Sequence, residues 1–205
     1  MKHTKVGSEQ VDVNRLVKSA QDGNHTAVAE LYHHFYNKIY KYVLFKTGNV
    51  TDAEDITENV FLKMMESLLS FTFQGVPFSS WLFRIAHNLI VDHYRKMART
   101  KTAPIENAAK NVNYAPLDMD SKLDLDLSIE KVYAAMDNLT DLQREVLTLR
   151  FAGDLSIQET SIAMKKKENA VKALQHAAIV KLRSVLSHST GPIISQSVAQ
   201  RSTQS

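Results

Sequence analysis

No cysteine occurs among the 205 residues. Its absence excludes disulfides, zinc–thiolate centres and a built-in thiol redox switch, and it suits a reducing cytosol. Glycine and proline are scarce, six and four in all, so long stretches lack helix breakers and an all-α fold is favoured. No apolar run approaches the roughly 20 residues of a membrane span. The opening stretch MKHTKVGSEQVDVN is polar and lacks the apolar core of a secretion signal. Nor is there a large excess of one charge. A net charge of +3 is not that of a histone-like polycation, yet it leaves nucleic-acid binding open where basic groups cluster.

The signatures of catalysis are missing as well. There is no glycine-rich phosphate loop, no nucleophile paired with a base and no carboxylate dyad. His33 and His34 are adjacent and point apart on a helix, and His87 and His93, six apart, diverge. No pair of histidines has the four-residue spacing that puts two metal ligands on one helix face. An enzyme is disfavoured, and neither a metal nor a cofactor is expected.

What the chain does have is helical periodicity, and 44% hydrophobic residues are enough for a real core. Val13, Leu16, Val17 and Ala20 make a short amphipathic helix closed by Asp22-Gly23-Asn24. A longer helix over about 25–47 carries Val28, Leu31, Tyr32, Phe35, Ile39, Tyr40, Val43 and Leu44, with Gly48 as its C-terminal cap. Thr51 and Glu54 have the spacing of a capping box for a helix to about Leu69, with Ile56, Val60, Phe61, Met64, Met65, Leu68 and Leu69 turned inward. The loop FTFQGV follows. The helix after it holds Phe78, Trp81, Leu82, Ile85, Ala86, Leu89, Ile90, Tyr94 and Met97 on one face and Arg84, His87, Asn88, Asp92, Arg95, Lys96 and Arg99 on the other.

Periodicity fades over 101–127, where Pro104, Pro116 and the acidic group Asp118, Asp120, Asp124 and Asp126 read as a linker. Helices resume over 128–186: one from Ser128 to Asn138, one opened by a Thr140–Gln143 capping box and ended by Gly153, and a short one opened by Ser156–Glu159. A last helix follows the polar turn Lys165–Glu168. The Ser- and Gln-rich residues 187–205 read as a disordered tail. Two all-α domains, 12–100 and 128–186, are thus expected.

The last two helices have the layout of a helix-turn-helix, whose second helix enters a major groove. Its leading part presents Lys165, Lys166, Lys167, Asn169, Lys172, Gln175 and His176. A helical hairpin with a solvated charged face has the same pattern. Phe71 and Phe73 could stack on an unpaired base or roof the core. The first-turn carboxylates Asp52, Glu54, Asp55 and Glu58 suit the helix dipole, and could equally meet a basic protein partner.

The segments DAEDITENVFLKMM, GVPFSSWLFRIAHNLIVDHYRK, LTDLQREVLTLRFAGDLSIQETSIAM and ENAVKALQHAAIVKLR, in that order, resemble a bacterial sigma-70-type RNA polymerase sigma factor of the extracytoplasmic-function group. The resemblance spans about 12–186. It implies a cytoplasmic protein that directs promoter recognition and melting, with core RNA polymerase and promoter DNA as partners and an anti-sigma factor as a possible third. In its first domain, Asp52, Glu54, Asp55, Glu58, Asn59 and Lys63 would meet the β′ clamp. Phe71, Phe73, Arg84, Asn88, Asp92, Arg95, Lys96 and Arg99 would engage the −10 element as single strand. In its second domain, the Lys165–His176 set would read the double-stranded −35 element, and the domain would dock on the β flap. Two features depart from the family pattern: Lys165 stands where glycine is frequent, and Ala177 follows His176 where arginine is common. A free-standing helix-turn-helix regulator is the competing reading, and an all-α scaffold or enzyme is a more distant one.

Overall fold

In the computed structural model, residues 12–100 and 134–189 are described, and every regular element among them is helical. The helices are α1 (Val13–Gln21), α2 (His25–Thr47), α3 (Val50–Ser67), α4 (Phe78–Thr100), α5 (Asp141–Leu147), α6 (Ile157–Ala163) and α7 (Glu168–Ser189). A 3₁₀ turn, Leu68–Ser70, follows α3, and a π turn, Thr148–Ala152, follows α5. The expected linker 101–127, the first part of the Ser128–Asn138 helix and all of the 187–205 tail after Ser189 lie outside the described residues. Residues 187–189 belong to α7.

Local chemistry accounts for most boundaries. Asn24 caps α2 by accepting from the Thr26 and Ala27 amides, and Gly48 ends it in the left-handed region at φ 65°, its N–H donating to the Leu44 carbonyl. The Thr140–Gln143 box forms in both directions, at 3.1 and 3.3 Å, and so does the Ser156–Glu159 box, at 2.7 and 3.1 Å. The expected Thr51–Glu54 box does not start α3. Asn49, in extended conformation, accepts from the Asp52 amide at 3.0 Å and begins the helix at Val50. An asparagine two residues upstream is a strong cap in its own right, and it shifts the register.

The chain divides into two compact units. The first combines α1–α4 with the stretch Thr148–Val171. Its core runs through Val17, Leu31, Phe35, Tyr42, Val60, Phe61, Phe78, Leu82 and Phe83, and takes in Leu149 and Leu155. The π turn explains how Leu149 gets there. The Gly153 N–H reaches back five residues to the Thr148 carbonyl at 3.0 Å, and the widened turn directs Leu149 inward. Gly153 is packed so closely that an added Cβ would lie 2.6 Å from the Phe83 ring.

This stretch alters the expected burial of α4. Ser79, Ser80 and Phe83 lie outside the periodic stripe, yet they are buried because the Thr148–Val171 stretch covers a second face of the helix. At the far end of α4, Tyr94 and Met97 extend the stripe but are exposed, since the core has ended there. Leu62 and Met65 on α3, and Leu69 in the 3₁₀ turn after it, are also exposed. An apolar stripe wider than the available core leaves its margin in solvent.

In the second unit, Ala135, Met136, Leu139, Val146, Leu147 and Ala178 are buried. Arg144 ties the turn before α5 by donating to the Met136 carbonyl at 3.3 Å.

Candidate nucleic-acid and polymerase interfaces

The loop between α3 and α4 is anchored at its start. Phe71 is 6% exposed and meets Phe73 and Phe78 edge-on, with Trp81 tilted against it. Of the two readings for this pair, Phe71 therefore takes the core one, while Phe73 is half-buried beside it. Thr72, Gln74 and Gly75 are exposed, and Gly75 sits at φ 71°, where an added Cβ would meet nothing within 4 Å. The tip is thus free of packing, whereas its base is fixed.

Gln21 has no signature in the sequence. The last residue of α1 sends its amide across the unit and donates to the Leu68 carbonyl at 2.8 Å and to the Phe71 carbonyl at 2.7 Å. A polar residue at the end of an amphipathic helix carries no signal of a partner 47 and 50 residues away.

Along α4 the nominated residues separate. Asn88, Asp92, Arg95, Lys96 and Arg99 form an exposed strip, in which Arg95 and Asp92 pair at 3.4 Å. Arg84 is half-buried, and its guanidinium donates to the Ile162 carbonyl at the end of α6, at 2.6 Å. Next to it, Ser80 donates to the Glu159 carbonyl at 2.9 Å and Ser79 to the Glu159 carboxylate. Lys38 of α2 pairs with Asp154 at 3.3 Å on the same side. Burial works to raise the Glu159 carboxyl, but hydrogen bonds from Ser156 and Ser79, with Lys38 nearby, outweigh it and hold the group below the usual carboxylate range. Burial and Lys38 lower the His34 imidazole, against a weaker opposing pull from Asp154.

On α3, Glu54, Asp55, Glu58, Asn59 and Lys63 are exposed. Lys63 pairs with Glu66 at 2.7 Å. Asp52 is half-buried and lies 3.4 Å from His93 of α4. The exposed carboxylates therefore adjoin the outward Leu62–Met65–Leu69 stripe.

The turn between α6 and α7 forms without glycine. Lys165 adopts φ 54°, and the Lys166 amide donates to the Ser161 carbonyl at 2.9 Å. Lys165, Lys167, Asn169, Lys172 and His176 are exposed, and Lys166 and Gln175 are half-buried. Among the described residues no cluster of three His, Asp or Glu side chains could hold a metal, and no helix is long and apolar enough to cross a membrane.

Cations thus gather at two exposed places among the described residues, the strip on α4 and the turn between α6 and α7. Residues 31–100 match the family model of sigma-70 region 2, and residues 135–184 match that of sigma-70 region 4. The chain belongs to the extracytoplasmic-function group of sigma-70 RNA polymerase sigma factors. It is 32% identical over 179 residues to the sigma factor BldN of Streptomyces coelicolor, covering 87% of this chain and 67% of the relative. It is 28% identical over 157 residues to SigX of Bacillus subtilis, covering 75% and 80%. The sigma factor RpoE of Bartonella quintana, solved with the anti-sigma factor NepR, shares the fold at a TM-score of 0.61 and 21% identity, over 78% of this chain and 96% of that one. The sigma factor works with core RNA polymerase on promoter DNA, directing promoter recognition, melting and the start of transcription. Sigma factors are non-catalytic initiation factors.

Proposed function

We propose that region 2 carries out strand opening and clamp binding, and that region 4 reads duplex DNA, through the residues placed above. The observation that carries this is the exposure pattern. The strip Asn88, Asp92, Arg95, Lys96 and Arg99 and the set Lys165, Lys167, Asn169, Lys172 and His176 face solvent, on a helix and on a helix-turn-helix. Cations meet phosphates, and amide and imidazole groups can meet base edges.

In this reading the −10 element is opened at the α3–α4 loop. Unstacking a base costs a few kcal/mol, and a rigid-based aromatic loop that receives the extruded base recovers part of it. Phe73 and the loop tip make the contact, and Phe71 supports them from the core. Lys166 and Gln175 join the exposed set at the −35 element when α7 enters the major groove. Arg84 reaches DNA only when its bond to Ile162 opens, so α6 leaves α4 when both promoter elements are held.

The outer face of α3 meets the β′ clamp: Glu54, Asp55, Glu58, Asn59 and Lys63 supply the polar part, and Leu62, Met65 and Leu69 the apolar part. Asp52 contributes from the edge, beside His93. Region 4 docks on the β flap. An anti-sigma factor of the kind seen with RpoE would compete for these surfaces. The chain itself catalyses no reaction, needs no cofactor and acts in the cytoplasm, where its polymerase partner is. Residues 12–100 and 128–186 form the two working domains.

The test is transcription in vitro with core polymerase and the purified chain. Promoter-specific initiation is expected, with Arg95→Ala weakening −10 engagement and Lys172→Ala weakening −35 recognition. Equal loss on every DNA sequence would show phosphate contact without readout.

A further inference from the structure

We propose that Gln21 is a positioning residue for promoter opening, which acts by holding the base-capturing loop in register. The inference rests on the assignment of −10 capture to the α3–α4 loop. Gln21 touches no nucleic acid in this account. It acts through the backbone of the loop.

Three observations carry it. First, both donors of one amide are engaged, at 2.8 Å to Leu68 and 2.7 Å to Phe71, and both acceptors are backbone carbonyls. Second, these carbonyls bracket the 3₁₀ turn from which the loop departs, and the Leu68 carbonyl also receives the Phe71 amide at 3.1 Å. The amide thus joins the end of α1 to the exit from α3 at the point where regular helix bonding stops. Third, the exposed residues that follow Phe71 hang on this base: Thr72, Gln74 and Gly75 face solvent, and a Cβ added at Gly75 would meet nothing within 4 Å. Loss of the amide would strip the Phe71 carbonyl of its side-chain donor and leave the Leu68 carbonyl only the Phe71 amide, so the turn would relax and displace Phe73 and the tip together.

Side-chain chemistry supplies controls. Glutamate at position 21 has the same length but presents a carboxylate to two carbonyl dipoles and donates nothing. Methionine has similar reach and no donor. Lysine can donate across the same gap and should rescue.

The experiment uses full-length protein assembled with core polymerase. Binding is measured on promoter DNA already opened at the −10 element, with the non-template bases either intact or replaced one at a time by abasic sites. For the natural chain, one abasic position should weaken binding. Gln21→Glu and Gln21→Met should lower affinity for the intact bubble about tenfold, the equivalent of about 1.4 kcal/mol, and leave affinity for that abasic bubble unchanged. Gln21→Lys should behave as the natural chain, and core-polymerase affinity should not move in any variant. Equal losses on intact and abasic DNA, or no loss on either, would overturn the positioning role. Should the glutamate variant fail to fold, the methionine and lysine pair decides the matter by the same comparison. A natural chain indifferent to every abasic position would instead remove the base-capture reading, and this inference with it.

Discussion

Glu159 and Ser79 join two helices through one carboxylate. One oxygen accepts from the Ser156 amide at 2.7 Å and caps α6, and the other accepts from the Ser79 hydroxyl on α4. A first-turn residue of the first helix of the helix-turn-helix thus also fastens that helix to α4. Ser79→Ala should remove only the interhelix bond and cost about 0.5–1.5 kcal/mol of stability, whereas Glu159→Ala also removes the bond to the Ser156 amide, leaves the Ser156 hydroxyl cap in place, and should cost about 1 kcal/mol more. A double-mutant cycle by chemical denaturation should show the two changes to be non-additive.

The same carboxylate makes stability depend on pH. Glu159 lies below its ordinary value of 4.5 when folded, so its contribution is complete above 4.5 and is lost as pH falls through the lower folded value. The His34 imidazole is also lowered, from 6.5, so the unfolded chain takes up that proton first and stability declines as pH falls below 6.5. Thermal melts should therefore be level above neutrality and fall in two stages on acidification. His34→Gln should abolish the upper stage and Glu159→Gln the lower.

Gly153 allows no side chain. Its added Cβ would lie 2.6 Å from the buried Phe83 ring and 2.8 Å from the Leu149 carbonyl, neither of which has room to yield. Gly153→Ala should cost about 1–3 kcal/mol, as overpacking in a closed core does. Its melting temperature should fall further than that of Gly75→Ala, where the surroundings are open and only the φ of 71° is strained.

Lys165 makes the helix-turn-helix turn at a positive φ. Glycine there removes the left-handed strain, about 1–2 kcal/mol for a residue with a Cβ, offset in part by the larger entropy of the unfolded chain. Lys165→Gly should be more stable in denaturant and yet bind −35 duplex more weakly. The slope of log affinity against log salt should shrink by about 0.9, the share of one phosphate contact.

A chain without cysteine accepts two labels cleanly. Spin labels at Asn37→Cys on α2 and Gln158→Cys on α6, both exposed, should report a single short distance in the free protein. In the complex with core polymerase and promoter the distance should lengthen, as Arg84 and Ser80 are released from Ile162 and Glu159. An unchanged distance would mean that α6 stays on α4 throughout transcription initiation.

Much of this protein is legible in its sequence. Helix periodicity, the Gly48 cap and the capping boxes at Thr140 and Ser156 involve residues within one or two turns of each other, and short-range geometry decides them. The order of motif blocks likewise predicted the family. The outward faces of α3, α4 and α7 were readable because a polar stripe opposite an apolar one has nowhere to go but solvent.

Burial by a distant segment was not legible. Whether Phe71 roofs the core or meets a base, why Phe83, Ser79 and Ser80 are covered, and why Met65 and Leu69 are not, all depend on which elements pack where. The reach of Gln21 across 47 and 50 residues and the hold of Ile162 on Arg84 have no local cause. The sequence by itself determined most of the helices, several of their ends and the family. Tertiary packing alone decided which side chains are covered by distant segments, because a hydrogen bond or a close contact of that kind exists only once chain segments far apart in sequence are brought together.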